Sequence, residues 1–149
     1  DFEERENNLN KEGQPTINFP RPMLNQNNYD FSFAGLKTSV LYFLKDHAEK
    51  NPNEVAASFQ AAVIETLTTK TMRAADEFQS RSVILAGGVA ANKKLRETLK
   101  KETKKRKINF FAPPAAMNTD NAAMIAIAAY INFLRKRSRP IKPQANLTV

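Results

Sequence analysis

The chain has no cysteine, no tryptophan, a single histidine and only four glycines among 149 residues. Without cysteine there is no disulfide framework, no thiol nucleophile and no Cys-based zinc site. His47 alone cannot make a His-pair metal site or a His-His relay. Most hydrolase and zinc chemistry is thereby excluded for the isolated chain. No apolar run approaches the roughly 20 residues needed to span a bilayer, and the acidic start lacks the basic and apolar regions of a signal peptide. The expectation is a soluble, cytoplasmic protein with no membrane partner. Asp1 stands where an initiator Met would, which makes the chain a candidate fragment of something longer. What is present is a hydrophobic share of 42%, enough for the core of one ordinary domain, and 23 basic against 15 acidic residues. A net charge of +8 favours anionic partners without choosing among RNA, nucleotides and a membrane surface.

Residues 1–16 are acidic and Asn-rich with few apolar side chains, which reads as a linker or the remnant of a preceding segment. Thr16–Phe19 and Tyr29–Phe33 suggest two short strands around an Asn-rich turn, because Tyr29, Phe31 and Phe33 alternate with polar residues. Leu36–Ala48 carries apolar residues every three to four positions and predicts an amphipathic helix. Asn51-Pro52 ends it and opens a longer helix, with Asn51 as cap and Pro52 at the first position. The period then changes. Ser82–Ala86 is a β-branched apolar run closed by Gly87-Gly88, read as a buried parallel strand turning into a helix from about Ala90 to Thr103. Ile108–Phe111 reads as a second strand. The last helix, about Thr119 to Arg137, is apolar on most sides and is expected to pack on the sheet. Strand, helix, strand, helix argues for an α/β unit with a parallel pair.

Two junctions could carry chemistry. At Gly87-Gly88 a buried strand ends in two residues without side chains, so backbone N–H groups can approach a phosphate or ribose closely. Asn92, in the first helical turn, could hold a ribose hydroxyl or base edge; equally, this could be a strand-to-helix turn with an exposed Asn. Asp120 follows the second strand at the start of the last helix, on the edge where α/β sheets bind ligands. It is a metal ligand, a general base or a simple helix cap. The basic run that includes Lys93, Lys100 and Lys104 is either a solvated face or a phosphate-binding surface with salt-sensitive affinity for RNA. His47 is read as a packed or helix-end histidine.

Three segments in order, Asp30–Thr38, Leu85–Asn92 with Leu95-Arg96, and Asn118–Ala126, resemble the universal family of tRNA threonylcarbamoyladenosine-forming transferases, known by the older name of glycoproteases or O-sialoglycoprotein endopeptidases. Phe19-Pro20-Arg21-Pro22 matches as well, and the resemblance covers about Ile17 to Arg135. It implies an α/β, actin, sugar-kinase and Hsp70-like (ribonuclease H-like) fold with a mixed sheet and packed helices. Residues 17–149 would form its carboxyl-terminal lobe only. It also implies transfer of a threonylcarbamoyl group from ATP-derived threonylcarbamoyl-AMP to N6 of the adenosine beside the anticodon, in tRNAs reading codons that start with A. Carried over by position, Gly87, Gly88 and Asn92 bind the adenylate, and Asp120 is a ligand of one divalent metal, iron or zinc. Lys93, Lys100 and Lys104 are candidate tRNA contacts. The implied partners are tRNA, a paralogous dimer partner and an ATPase subunit. The chain has Ala34 where the family usually has Ser, and Asn118 where it usually has Cys. It lacks the family's His-x-x-x-His pair and the phosphate loop of the first lobe, so the chain alone is expected to be inactive.

The rival readings are a sugar or acetate kinase of the same fold class, for which the catalytic Asp and phosphate loops are missing, and a non-catalytic tRNA-binding or subunit-docking lobe. Proteolysis finds no nucleophile with a base and no complete metal-water site.

Overall fold

The computed structural model describes residues 15–114, 117, 118 and 120–137. Its elements, in order, are α1 (Ala34–Asp46), α2 (Pro52–Glu77), β1 (Ser82–Ile84), a single 3-10 turn (Gly88–Ala91), α3 (Lys93–Lys105), β2 (Asn109–Phe111) and α4 (Ala122–Leu134). The architecture is α/β, and among the described residues the sheet is the parallel pair β1-β2, with Ser82 opposite Asn109, Val83 opposite Phe110 and Ile84 opposite Phe111. Among those residues no helix is long and apolar enough to cross a membrane.

α2 is the spine. Asn51 Oδ1 accepts from Asn53 N at 2.9 Å, and Pro52 occupies the first turn, where a missing N–H costs nothing. The first half of the helix brings Val55 and Ala62 into a core with Phe19 and Leu36, flanked by Ile17, Phe33, Val40, Phe43 and Phe59. Its second half brings Ile64 and Met72 against Leu95 and Leu99 of α3, with Val83 and Phe110 from the inner face of the sheet. Thus the chain builds two cores on one helix. His47 ends α1 as expected, with its Nδ1 3.2 Å from the Phe43 carbonyl and its ring stacked on Phe43 at 4.4 Å.

The expected strands at Thr16–Phe19 and Tyr29–Phe33 do not form; Asn18–Phe33 holds no helix or strand, and only Pro15 makes an isolated bridge. Side chains of α2 take the backbone groups that a ladder would use. Ile17 N donates to Ser58 Oγ at 3.2 Å, Arg73 donates to the carbonyls of Gln26 and Asn28, and Lys70 Nζ donates to Asp30 O at 2.6 Å and Asn28 Oδ1 at 3.2 Å. Pro20 and Pro22 supply no N–H at all. The alternating aromatics then serve as single anchors, with the Arg73 guanidinium 5.3 Å over Tyr29 and the Lys70 ammonium 5.8 Å over Phe31. Lys70 is 1% exposed and has only neutral acceptors.

The last helix is shorter than expected, and its packing departs from the sequence reading altogether. None of the residues of α4 is buried. Nor do the two cores extend to it, so the expected packing on the sheet does not occur. The acidic segment 1–14 lies outside the described residues; Thr16, just after it, donates to Glu54 of α2.

Candidate functional site

The parallel pairing puts the carboxyl ends of β1 and β2 on one edge, and both candidate junctions start there. After β1, Leu85 N still bonds Phe111 O at 2.9 Å, and the chain then turns through Gly87. Gly87 has φ +86°, a conformation that an L side chain adopts only with strain. Gly88 has no such constraint. A Cβ at either glycine would meet no atom within 4 Å, so this loop presents bare backbone to open space.

The helix that follows starts later than the spacing suggested. Gly88–Ala91 is a 3-10 turn, and α3 begins only at Lys93. Asn92 is therefore the cap of α3 rather than a member of its first turn. Its Oδ1 accepts from Leu95 N at 2.9 Å and its Nδ2 donates to Gln60 Oε1 of α2 at 2.7 Å. A carboxamide offers two donors and two lone pairs. One of each is used here, which leaves one of each for a ligand.

Asp120 is exposed and precedes the cap of α4, which is Asn121; Asn121 Oδ1 accepts from Met124 N at 3.0 Å. The cap reading of this junction therefore belongs to Asn121, and the Asp120 carboxylate is not used as a cap. Two residues earlier, Asn118 is 4% exposed, and its Oδ1 accepts from Arg96 Nη2 at 3.3 Å. Its Nδ2 has no partner among the described residues. Among those residues no three His, Cys, Asp or Glu converge on one point.

Arg96 is what the sequence reading undervalued. From α3 it donates through Nε to Ala90 O, and through Nη2 to Pro113 O and Asn118 Oδ1. A single planar guanidinium thus ties the loop after β1 to the loop after β2, using its several fixed donors at once. The sequence marked Arg96 only as a motif member and part of a basic run. Gln60 had no sequence signal, because its role exists only through its approach to Asn92.

The basic helix is exposed as expected. Lys93, Lys100 and Lys104 recur at seven and four residues, so they share one face of α3, while Leu95, Leu99 and Thr103 are buried on another. Further along, Glu102 takes Lys105 at 2.6 Å and Arg106 at 2.9 Å, and Arg106 also reaches Asp76 Oδ2 at 3.1 Å. The hydrogen bond from Lys105, then that from Arg106, holds the Glu102 carboxyl below its ordinary value. Asp76 first and Glu102 second raise Arg106. The three lysines on the open face have no acidic partner among the described residues, and their charge is left to solvent or a ligand.

A family model described as tRNA N6-adenosine threonylcarbamoyltransferase matches residues 3–127. Curated proteins of that name are similar to this chain in Kosmotoga olearia (48% identical over 135 residues, 91% of this chain and 41% of that protein) and in Moorella thermoacetica (48% over 143 residues, 92% and 42%). Another, in Thermotoga neapolitana, is 49% identical over 121 residues, 80% of this chain and 37% of that protein. The chain spans about two fifths of the length of the curated relatives it matches.

Proposed function

Because the chain belongs to the tRNA N6-adenosine threonylcarbamoyltransferase family, we propose that it is the carboxyl-terminal portion of such an enzyme, one lobe of an actin-like fold. The observation that carries this is the tie through Arg96: it holds together the two loops whose residues the family motifs occupy. In the completed enzyme the adenylate of threonylcarbamoyl-AMP lies along Gly87-Gly88, where no side chain intervenes, and meets the spare donor and lone pair of Asn92. N6 of the tRNA adenosine attacks the carbamoyl carbon and releases one proton to solvent, and AMP leaves with the electron pair of the broken anhydride bond. The fixed helix cap means that Asn92 is held in place before the nucleotide arrives, so no side-chain ordering is left for the binding step.

Asp120 supplies one carboxylate toward a divalent metal, iron or zinc, whose other donors lie outside this chain. Such an ion polarises the carbamoyl oxygen when bound. The Lys93, Lys100 and Lys104 face takes phosphates of the tRNA. Cytoplasmic partners, a paralogous subunit and an ATPase, belong to the same reading. A lobe that binds tRNA without catalysis is the second reading, and the unpaired lysine face favours it.

The two separate in one experiment. The chain is co-expressed with the part of the Kosmotoga olearia protein outside the match, and threonylcarbamoyladenosine is measured in tRNA by mass spectrometry. Asn92→Ala and Asp120→Ala should abolish the product with tRNA affinity retained, and the chain alone should make none. Product formation that survives both substitutions but fails in Lys100→Ala with Lys104→Ala would hand the case to the binding lobe.

A further inference from the structure

Gln60 and Asn92 stand half-buried where α2 meets the start of α3, and Asn92 Nδ2 donates to Gln60 Oε1 at 2.7 Å. Among the described residues this is the one hydrogen bond of the Gln60 side chain. An apolar seam sets its place: Ile64, one turn further along the same face of α2, clusters with Leu95 and Leu99 of α3. The neighbours Ala57, Ala61 and Ile64 carry no hydrogen-bonding side chain, and with Lys94 and Thr98 of α3 they line a groove of about 370 Å³ between the two helices. Packing alone would put an apolar residue in that wall. The polarity of the pair, by contrast, is dictated from its far end. Leu95 N is a backbone donor and cannot reverse, so Asn92 turns Oδ1 toward it at 2.9 Å; Nδ2 then points at α2, where only an acceptor satisfies it. Gln60 Oε1 is that acceptor. A carboxamide held at its oxygen alone still swings about that bond, whereas one held at both oxygen and nitrogen has a fixed plane.

We propose that Gln60 is a positioning residue: it locks the plane of the Asn92 carboxamide, so that the second lone pair of Oδ1 and the second N–H of Nδ2 meet the nucleotide as a preset acceptor and donor. The inference rests on the proposed function in taking an adenylate as what Asn92 meets. Such a pair fits a group that both donates and accepts, a ribose hydroxyl or the N6–N7 edge of adenine. Without Gln60, Nδ2 has no protein acceptor and the carboxamide keeps only its cap bond. Each nucleotide that binds then has to stop a rotor first, and that ordering is subtracted from its affinity. The folding of α3 is spared, because Leu95 N keeps its acceptor. Gln60 thus acts on the nucleotide only through Asn92.

The test uses the full chain co-expressed with the unmatched part of the Kosmotoga olearia protein, with isotope-labelled asparagine, and takes two readings. One is solvent exchange of the Asn92 side-chain amide by NMR, its resonances identified by their loss in Asn92→Ala; the other is affinity for AMP by calorimetry. Gln60→Leu should speed the exchange and weaken AMP binding, each about tenfold. Gln60→Glu keeps an acceptor opposite Nδ2 and should hold the exchange slow. Thermal unfolding of Gln60→Leu should match wild type, since the wall around it is apolar; Gln60→Ala reads the same link if a leucine disturbs the α2–α3 packing. In the Asn92→Ala background, loss of Gln60 should weaken AMP binding no further. Three results overturn the proposal: exchange unchanged by Gln60→Leu and Gln60→Ala, AMP affinity unchanged by both, or a loss of affinity that persists in full in the Asn92→Ala background and makes Gln60 a direct contact. Faster exchange in Gln60→Leu with no AMP bound by wild type condemns the adenylate reading and leaves Gln60 holding Asn92. AMP bound equally by wild type and both Gln60 variants does the reverse.

Discussion

α3 and α4 are both thirteen residues long, and they face opposite situations. α3 is mostly charged, yet it buries Leu95, Leu99 and Thr103 in a complete stripe. α4 is almost wholly apolar, yet it buries nothing. Hydrophobicity thus does not decide burial in this chain; the availability of a complementary surface does. α3 finds that surface in Ile64 and Met72 of α2, whereas the described residues offer α4 none.

The contrast can be broken most directly by truncation. Leu99→Ala should cost about 2–5 kcal/mol in urea unfolding, from lost transfer energy and the cavity left behind, whereas Ile127→Ala should change stability by less than about 0.5 kcal/mol. Equal effects would mean that α4 is packed after all; a cost for Ile127→Ala that arises only in the complex would sharpen the distinction. Next comes Arg96→Ala, which frees the loops after β1 and β2 and should cost about 1–3 kcal/mol in thermal melts. Arg96→Lys should not restore it, because one ammonium lacks the rigid fork that reaches three acceptors. Asn92→Ala removes the cap of α3 and should cost about 1 kcal/mol. Asn92→Asp keeps the acceptor for Leu95 N and loses the donor to Gln60, so nearly normal stability with lost activity in the completed enzyme would separate cap from ligand. Among the polar substitutions the smallest effect belongs to Glu102→Gln, below about 1 kcal/mol because its ion pairs lie at the solvent-screened surface. The carboxyl of Glu102 is depressed in the fold, so its contribution is present at neutral pH and fades as pH falls below the ordinary value of 4.5. A pH titration of stability, wild type against variant, should show the two converging there.

Much of this arrangement was legible beforehand, wherever the determinant is local. Asn51-Pro52, the parallel strand before Gly87-Gly88 and the stripe of α3 are each written within a few consecutive residues, although that strand is shorter than Ser82–Ala86 and not buried as expected, with Ser82 and Ile84 exposed. The segment 16–33 misled because Tyr29, Phe31 and Phe33 alternate as in a strand, while the partners that fix it, Ser58, Lys70 and Arg73, lie on a helix some forty residues away. Asn92 was found at the right place with the wrong local geometry, since a 3-10 turn and an α-helix start share the same residues. Periodicity also foretold that α4 needs cover. It could not say that the cover is absent from the described part of the chain.

The β1-α3-β2 unit carries a consequence for the order of folding. Its pairings, Ser82 with Asn109 through Ile84 with Phe111, close through a single helix, nearer in sequence than the contacts of Ile17 with Ser58 or Asn28 with Arg73, and a shorter loop costs less entropy to close. During vectorial synthesis this unit is complete before α4 has left the ribosome. The nascent chain therefore forms its framework before its most apolar helix emerges, and if the chain is the carboxyl-terminal portion of the enzyme, α4 meets polypeptide that has already been made.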